Sequence, residues 1–148
     1  MAQVVATAER IVRAPADQVA VALGDYLGTR PRILPEQFSE YRVETGGQGA
    51  GTRVLWRLAA TSKRVREQDV VVTEGADGSL VESDTNSTMV TTWTVVPADA
   101  GVSTVRSRTT WTGATGIGGF FERTFAPKGL ARIHEAFLER LERSVTGS

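Results

Sequence analysis

The strongest pattern of hydrophobic positions lies near the C-terminus, between Lys128 and Val145. When these residues are placed at 100° steps, one arc is apolar except for His134, and the opposite arc is polar or small. This pattern predicts an amphipathic helix that packs one face against a core. At 1.5 Å per residue the segment is about 27 Å long, which is enough to cross a whole sheet. The apolar arc contains Leu130, Ile133, His134, Phe137, Leu138, Leu141 and Val145.

Pro127 is expected to begin the straight part of this helix, because a proline ring is tolerated best in a first turn. Phe120 to Phe125 would then form a separate or kinked first turn. We interpret the preceding run Gly113–Gly119 as a flexible hinge, since it has neither the Walker nor the Rossmann spacing of a nucleotide-binding loop. Such a hinge would let the helix lift to admit a ligand, with Phe120, Phe121 and Phe125 as a gate or as an ordinary hydrophobic anchor.

Short runs of β-branched and aromatic residues, separated by turn signals, fill most of the remaining chain. Val4–Arg13 predicts a first strand, Pro15 and Asp17 favour a helix start after it, and Gly28–Pro35 has room for one more short helix. The short gaps between the later runs favour an antiparallel meander. Six further strands are predicted, at Phe38–Glu44, Thr52–Ala59, Arg64–Thr73, Leu80–Ser83, Met89–Val96 and Ser103–Thr112. The sequence therefore predicts a single α+β domain over residues 1–148, with seven antiparallel strands and the helices on one side.

The amino-acid composition argues against several classes of function. Lys and Arg number 17 and Asp and Glu 17, a balance that argues against a general nucleic-acid binder. With no cysteine and only one histidine, thiolate chemistry and multi-histidine metal sites are excluded, and no cofactor is predicted. We find neither a signal peptide nor a membrane-spanning run, so we expect a cytoplasmic protein without stable membrane insertion. The basic cluster Lys63–Arg66 is interpreted as a solvated strand edge rather than a site for an anionic head group.

Several stretches occur in an order that is found in a known family. They are Arg13–Val19, Gly49–Val54, Met89–Thr94 and, most tellingly, the tail Gly116–Arg123 with Ala126–Leu130. Over nearly its full length the chain resembles the polyketide cyclase/dehydrase and lipid-transport branch of the START-like (SRPBCC, Bet v 1-like) superfamily. The resemblance implies a helix-grip fold, in which a curved sheet wraps around the long C-terminal helix above a hydrophobic ligand cavity. It does not specify the ligand, because members range from carriers to cyclases.

The three tryptophans alternate with mainly apolar neighbours on their strands, so we expect Trp56, Trp93 and Trp111 to face inward. Flat side chains with one N–H donor suit a ring or an acyl chain, although they also fill ordinary cores. The predicted cavity residues are Trp56, Trp93, Trp111, Ile133, His134, Phe137 and Leu141.

His134 and Glu67 are the candidates for acid–base chemistry. His134 lies in the apolar arc, where it could bond a ligand, transfer protons, or simply be a satisfied core histidine. Glu67 and Asp69 alternate with Val65 and Val71, which would place both carboxylates inside, but a slip of one residue would turn both outward.

Three functions remain open at this point. The first is a carrier or sensor that binds a small lipid-like or aromatic molecule through apolar burial. The second is a polyketide aromatase/cyclase or dehydratase that uses the same cavity, with His134, Glu67 or an arginine moving protons. The third is an interaction protein, of unknown protein partner, whose cavity is filled by its own side chains. The first is preferred, because only His134 can be placed as a convergent polar group.

Overall fold

The computed structural model describes residues 3–59, 65–112 and 117–147, with the side chains of residues 117–126 outside the description. Within these ranges the chain forms seven strands and three helices, which confirms the predicted α+β architecture. In chain order they are β1 (Gln3–Val12), α1 (Ala16–Leu23), α2 (Thr29–Ile33), β2 (Phe38–Thr45), β3 (Arg53–Ala59), β4 (Val65–Glu74), β5 (Leu80–Asp84), β6 (Val90–Asp99), β7 (Val102–Thr112) and α3 (Ile117–Thr146).

The seven strands form one antiparallel sheet in the order β1-β7-β6-β5-β4-β3-β2. Strands β2 to β7 follow one another as the predicted meander, and β1 joins the far edge by pairing along its whole length with β7. At the opposite edge, the register between β2 and β3 shifts between Ser39 and Arg42 and again between Val43 and Thr45. Irregularities of this kind bend a strand and increase its twist, so they curve this edge of the sheet.

Helix α3 packs across the sheet and closes the core. Its Leu138 and Leu141 have no exposed surface, and Leu138 and Phe137 pack with Trp93 and with residues of α1. A second cluster joins Leu130 and Ile133 of α3 to the other end of the sheet. The apolar arc predicted from the sequence is thus the face by which α3 docks. Within the described residues, no helix combines the length and the apolar character needed to span a bilayer.

The beginning of α3 differs from the prediction. The helix runs from Ile117 to Thr146 with Pro127 inside it, so Pro127 does not begin α3 and the residues before it do not form a separate turn. A proline removes one backbone hydrogen bond, but most helical stability in proteins comes from docking an apolar face, which in α3 is described from Leu130 onward. Of the predicted hinge Gly113–Gly119, residues 113–116 lie outside the described residues. The same holds for the side chains of Phe120, Phe121 and Phe125, and for residues 60–64.

Strand β4 presents the face opposite to the one that the sequence suggested. Gln68, Val70 and Val72 are buried, whereas Glu67 is exposed and Asp69 is only partly covered. On the outer face these two carboxylates pair with arginines of β3, Glu67 with Arg57 at 2.9 Å and Asp69 with Arg53 at 2.5 Å. Because side chains alternate strictly along a strand, a slip of one residue is enough to exchange the two faces.

Candidate functional site

A narrow cavity lies between α2, the inner face of the sheet and α3. Its volume is about 30 Å³, which accommodates a water molecule but not a ligand of several rings. Both apolar and polar side chains line it, so it is less uniformly apolar than the sequence suggested. The polar ones are Arg30, Gln68, Glu82, Thr91 and His134, and the others are Leu34, Phe38, Trp56, Leu58, Met89, Trp93, Leu130 and Phe137.

Arg30 of α2 and Glu82 of β5 form a buried ion pair in the cavity wall. Arg30 Nη2 lies 2.5 Å from Glu82 Oε2, and the two side chains are 3% and 6% exposed. Burial disfavours the charge on Arg30, but the neighbouring Glu82 outweighs it and raises the pKa of Arg30. The guanidinium is therefore a permanent charge in the interior, compensated by one carboxylate.

Two aromatic side chains also donate hydrogen bonds to Glu82. The Tyr26 hydroxyl donates to Oε2 at 2.5 Å, and Trp93 Nε1 donates to Oε1 at 2.8 Å. Burial raises the pKa of Tyr26, and the charge of Glu82 raises it further, so the phenol stays protonated and remains a donor. Both carboxylate oxygens thus have partners, which is the condition for tolerating a buried charge.

Aromatic rings also surround the guanidinium of Arg30. Its central carbon lies 4.6 Å from the ring centroid of Tyr26, 4.9 Å from that of Phe137 and 5.6 Å from that of Trp93. Arginine is suited to such sites because its flat, weakly hydrated group attracts the faces of aromatic rings. Arg30 Nε donates to the backbone carbonyl of Leu23 at 2.6 Å, which fixes the side chain against the end of α1.

Helix α2 has only five residues and depends on Asp25 for its N-terminus. Asp25 Oδ1 accepts from the backbone N–H of Gly28, and Oδ2 accepts from both the backbone N–H and the hydroxyl of Thr29, all at 3.0 Å. Burial alone would raise the pKa of Asp25, but these donors outweigh it and lower the pKa. The ionised carboxylate thereby holds the short helix that carries Arg30.

His134 of α3 lines the cavity, contacts the sheet, and is uncharged at neutral pH. Its Nδ1 is 3.0 Å from Ser107 Oγ, and its ring centroid is 5.0 Å from that of Trp93. Burial lowers the pKa of His134 to about 4; Glu82 opposes this effect and Arg30 adds to it. A neutral imidazole offers one donor and one acceptor nitrogen. Since one nitrogen bonds Ser107, the other remains for the cavity.

The opposite wall is fixed by a chain of polar contacts around Trp56. Trp56 Nε1 donates to Gln68 Oε1 at 2.7 Å, and Gln68 Nε2 donates to Met89 Sδ at 3.2 Å. The rings of Phe38 and Tyr41 pack against Trp56 at centroid distances of 5.6 and 6.3 Å. Apart from the thioether, which is flexible, this wall is held by directional contacts.

The predicted site residues separate into three groups. Trp56, Trp93, His134 and Phe137 line the cavity. Trp111, Ile133 and Leu141 are buried in the two core clusters and do not border it. Glu67 lies on the outer face beside Arg57, which removes it as a candidate for chemistry inside.

Trp111 differs from the other two tryptophans in its hydrogen bonding. Trp56 and Trp93 each donate their indole N–H to a side chain, whereas the buried Nε1 of Trp111 has no partner in the described part of the chain. Its contribution to the fold is therefore packing alone.

Sequence reasoning missed Arg30, Glu82 and Gln68. A signal existed for Glu82, which shares a strand face with Leu80 on β5, and for Gln68, which alternates with Val70 and Val72. Arg30 had none, because a five-residue helix shows no periodicity. These groups can orient the oxygen or N–H groups of a small molecule. Over the described ranges, no group of three or more potential metal ligands comes together.

Comparison with known proteins agrees with this architecture. The model of the family described as polyketide cyclase / dehydrase and lipid transport matches residues 3–146. No curated protein matches the sequence. The solution structure of the KanY protein (ms6282), determined by NMR, is 46% identical, with 99% of this chain and 100% of that chain covered and a TM-score of 0.88.

More distant solved structures share the fold. The ZhuI aromatase/cyclase from Streptomyces sp. R1128 is 17% identical, with a TM-score of 0.78 and coverage of 98% of this chain and 94% of that one. Truncated norcoclaurine synthase from Thalictrum flavum is 16% identical, with a TM-score of 0.72 and coverage of 99% and 96%. At such identities the likeness concerns the helix-grip architecture and not the activity.

Proposed function

Because the chain belongs to the polyketide cyclase/dehydrase and lipid transport family, we propose that it binds a small lipid-like or aromatic molecule between α3 and the sheet, as a carrier or sensor. The observation that carries the proposal is the convergence of α2, five strands and α3 on one internal space, with aromatic walls and fixed polar groups. Sites for small molecules combine mainly apolar walls with a few placed polar groups.

Binding requires the cavity to widen. The present volume is about 30 Å³, whereas ligand pockets hold roughly 300–1,000 Å³. Met89 is the side chain best suited to move, because it is unbranched and only its sulfur is held, by Gln68. The gain comes from apolar surface removed from water, at about 25 cal/mol per Å².

Binding of an uncharged probe tests this proposal. Nile red should become fluorescent with the folded protein, and native mass spectrometry of protein purified from cells should reveal a co-purified molecule. Leu34→Trp places a large side chain in the cavity wall and should weaken binding at least tenfold. Leu27→Trp, the same change at a side chain that is 62% exposed and outside the cavity, should leave binding unchanged. No binding by the wild type would favour the third function, an interaction protein with a filled interior.

A catalytic role is the second candidate, and the observation that favours it is the neutral His134 beside Arg30 and Glu82. An uncharged imidazole can accept a proton from a carbon next to a ketone, and a neighbouring cation stabilises the negative charge that develops on the oxygen. This matches the aromatase/cyclase or dehydratase alternative. Incubation with a poly-keto thioester, followed by mass spectrometry for loss of water, tests it. The turnover should disappear in His134→Ala while Nile red binding persists.

A further inference from the structure

The charges that line the cavity cancel one another. Arg30 contributes one positive charge and Glu82 one negative charge, and they pair directly at 2.5 Å. His134 is neutral at pH 7, since burial lowers its pKa to about 4. Tyr26, whose pKa burial raises, is neutral as well. Among the side chains that the structure describes, those around the cavity therefore sum to zero, and no cation is left uncompensated there.

Within this neutral set, the guanidinium of Arg30 offers the largest number of hydrogen-bond donors. Arg30 Nε donates to the carbonyl of Leu23, and Nη2 donates to Glu82 and Tyr26. In the described part of the chain, Arg30 Nη1 has no acceptor, although Arg30 lines the cavity. The guanidinium carries five N–H donors in a fixed fork, so the Nη1 donors of Arg30 are available to an oxygen atom placed in the cavity that Arg30 lines.

We propose that the ligand is an uncharged molecule with an acceptor oxygen, such as an aldehyde, ketone, amide or phenol, and that Arg30 Nη1 donates to this oxygen. The inference rests on the proposed binding function and specifies its ligand class. A carboxylate or phosphate would bring a second negative charge beside Glu82 with no second cation, and burying an unpaired ion carries a large penalty. Glu82 thus selects against acids, while Arg30 orients the oxygen.

Two probes that share a ring system test the charge selectivity on the unmodified protein. The ketone 2-acetonaphthone and the carboxylate 2-naphthoate are titrated at pH 7, with calorimetry or tryptophan fluorescence as the readout. We expect the ketone to bind at least about 100-fold more tightly. Burying an unpaired ion costs more free energy than a 100-fold difference in dissociation constant represents. Equal or tighter binding of the carboxylate overturns this inference alone. Absence of binding by both, while Nile red still binds, also overturns this inference alone, whereas absence of binding by all three probes overturns the binding function as well.

A variant tests the part assigned to Glu82. Glu82→Gln keeps the shape but leaves Arg30 uncompensated, so the ratio should shift at least tenfold toward 2-naphthoate. Glu67→Gln makes the same charge change on the outer face, where the side chain is 70% exposed, and should leave the ratio unchanged. A folded Glu82→Gln protein without the shift contradicts the assignment. If near-UV circular dichroism shows that the variant does not fold, the comparison of the two probes on the wild type decides.

Discussion

Replacing Glu82 by alanine tests how far the buried ion pair supports the fold. Glu82 accepts from Arg30 and Tyr26 through Oε2 and from Trp93 through Oε1. Its removal leaves a guanidinium that is 3% exposed without a counter-charge, and two neutral donors without an acceptor. Breaking a buried pair in this way costs about 3–5 kcal/mol, whereas a domain is stable by only about 5–15 kcal/mol.

We therefore expect the free energy of unfolding of Glu82→Ala to fall by about 4 kcal/mol, which for a chain of this length lowers Tm by roughly 8–16 °C. Urea titration, followed by circular dichroism and tryptophan fluorescence, measures the change. Glu67→Ala is the matched control. Its ion pair with Arg57 is exposed on both sides, so the expected effect is within about 0.5 kcal/mol.

The same reasoning predicts a rescue. Arg30→Met in the Glu82→Ala background removes the stranded charge, so the double variant should regain at least half of the lost stability, with strong coupling between the two positions. A loss below about 1 kcal/mol for Glu82→Ala would refute the argument. So would a double variant in which the costs of the two substitutions simply add.

Two further predictions concern the side chains around the cavity. The pKa of His134 is about 4 in the folded protein and 6.5 in its reference state, so the unfolded chain takes up the proton first as the pH falls. Wild-type stability should then decrease by about 1.4 kcal/mol per pH unit between these values, relative to His134→Gln, and parallel urea profiles for the two proteins would contradict this. Trp56→Phe should cost roughly 1 kcal/mol more than Trp111→Phe, because only the former deprives a buried acceptor, Gln68 Oε1, of its donor; equal losses in thermal unfolding would refute this assignment.

The sequence predicted whether a segment is a helix or a strand wherever its hydrophobic pattern repeated over several helical turns or strand residues. The apolar arc of α3 was visible because seven residues of it recur at helical spacing, and tertiary packing had only to agree with it. The strands were visible because β-branched runs alternate with turns that contain glycine, serine, aspartate or proline. Both signals are local, so they need no knowledge of which segments meet.

Two features were harder to predict, for different reasons: which face of β4 is buried, and the ion pair between Arg30 and Glu82. On β4 both sets of alternate residues mix polar and apolar side chains, so hydrophobicity could not decide between Glu67 and Gln68 as the inward residue. The pairing of Arg30 with Glu82 joins positions 52 residues apart, and no local pattern carries such information. That Glu82 is the partner of Arg30 becomes evident only from the fold, which brings β5 and α2 together.

Arg30, which we propose contacts the ligand, lies on the shortest helix of the described chain. The sheet positions Trp56, Trp93 and Glu82 through ladders that extend from strand to strand, whereas Arg30 is delivered by five helical residues secured by Asp25. A substitution of Arg30 would change the polar group that this helix presents to the cavity, and it would also remove the counter-charge of Glu82. A protein engineer who seeks a different ligand class would therefore change Arg30 and Glu82 together, so that neither charge is left buried without its partner.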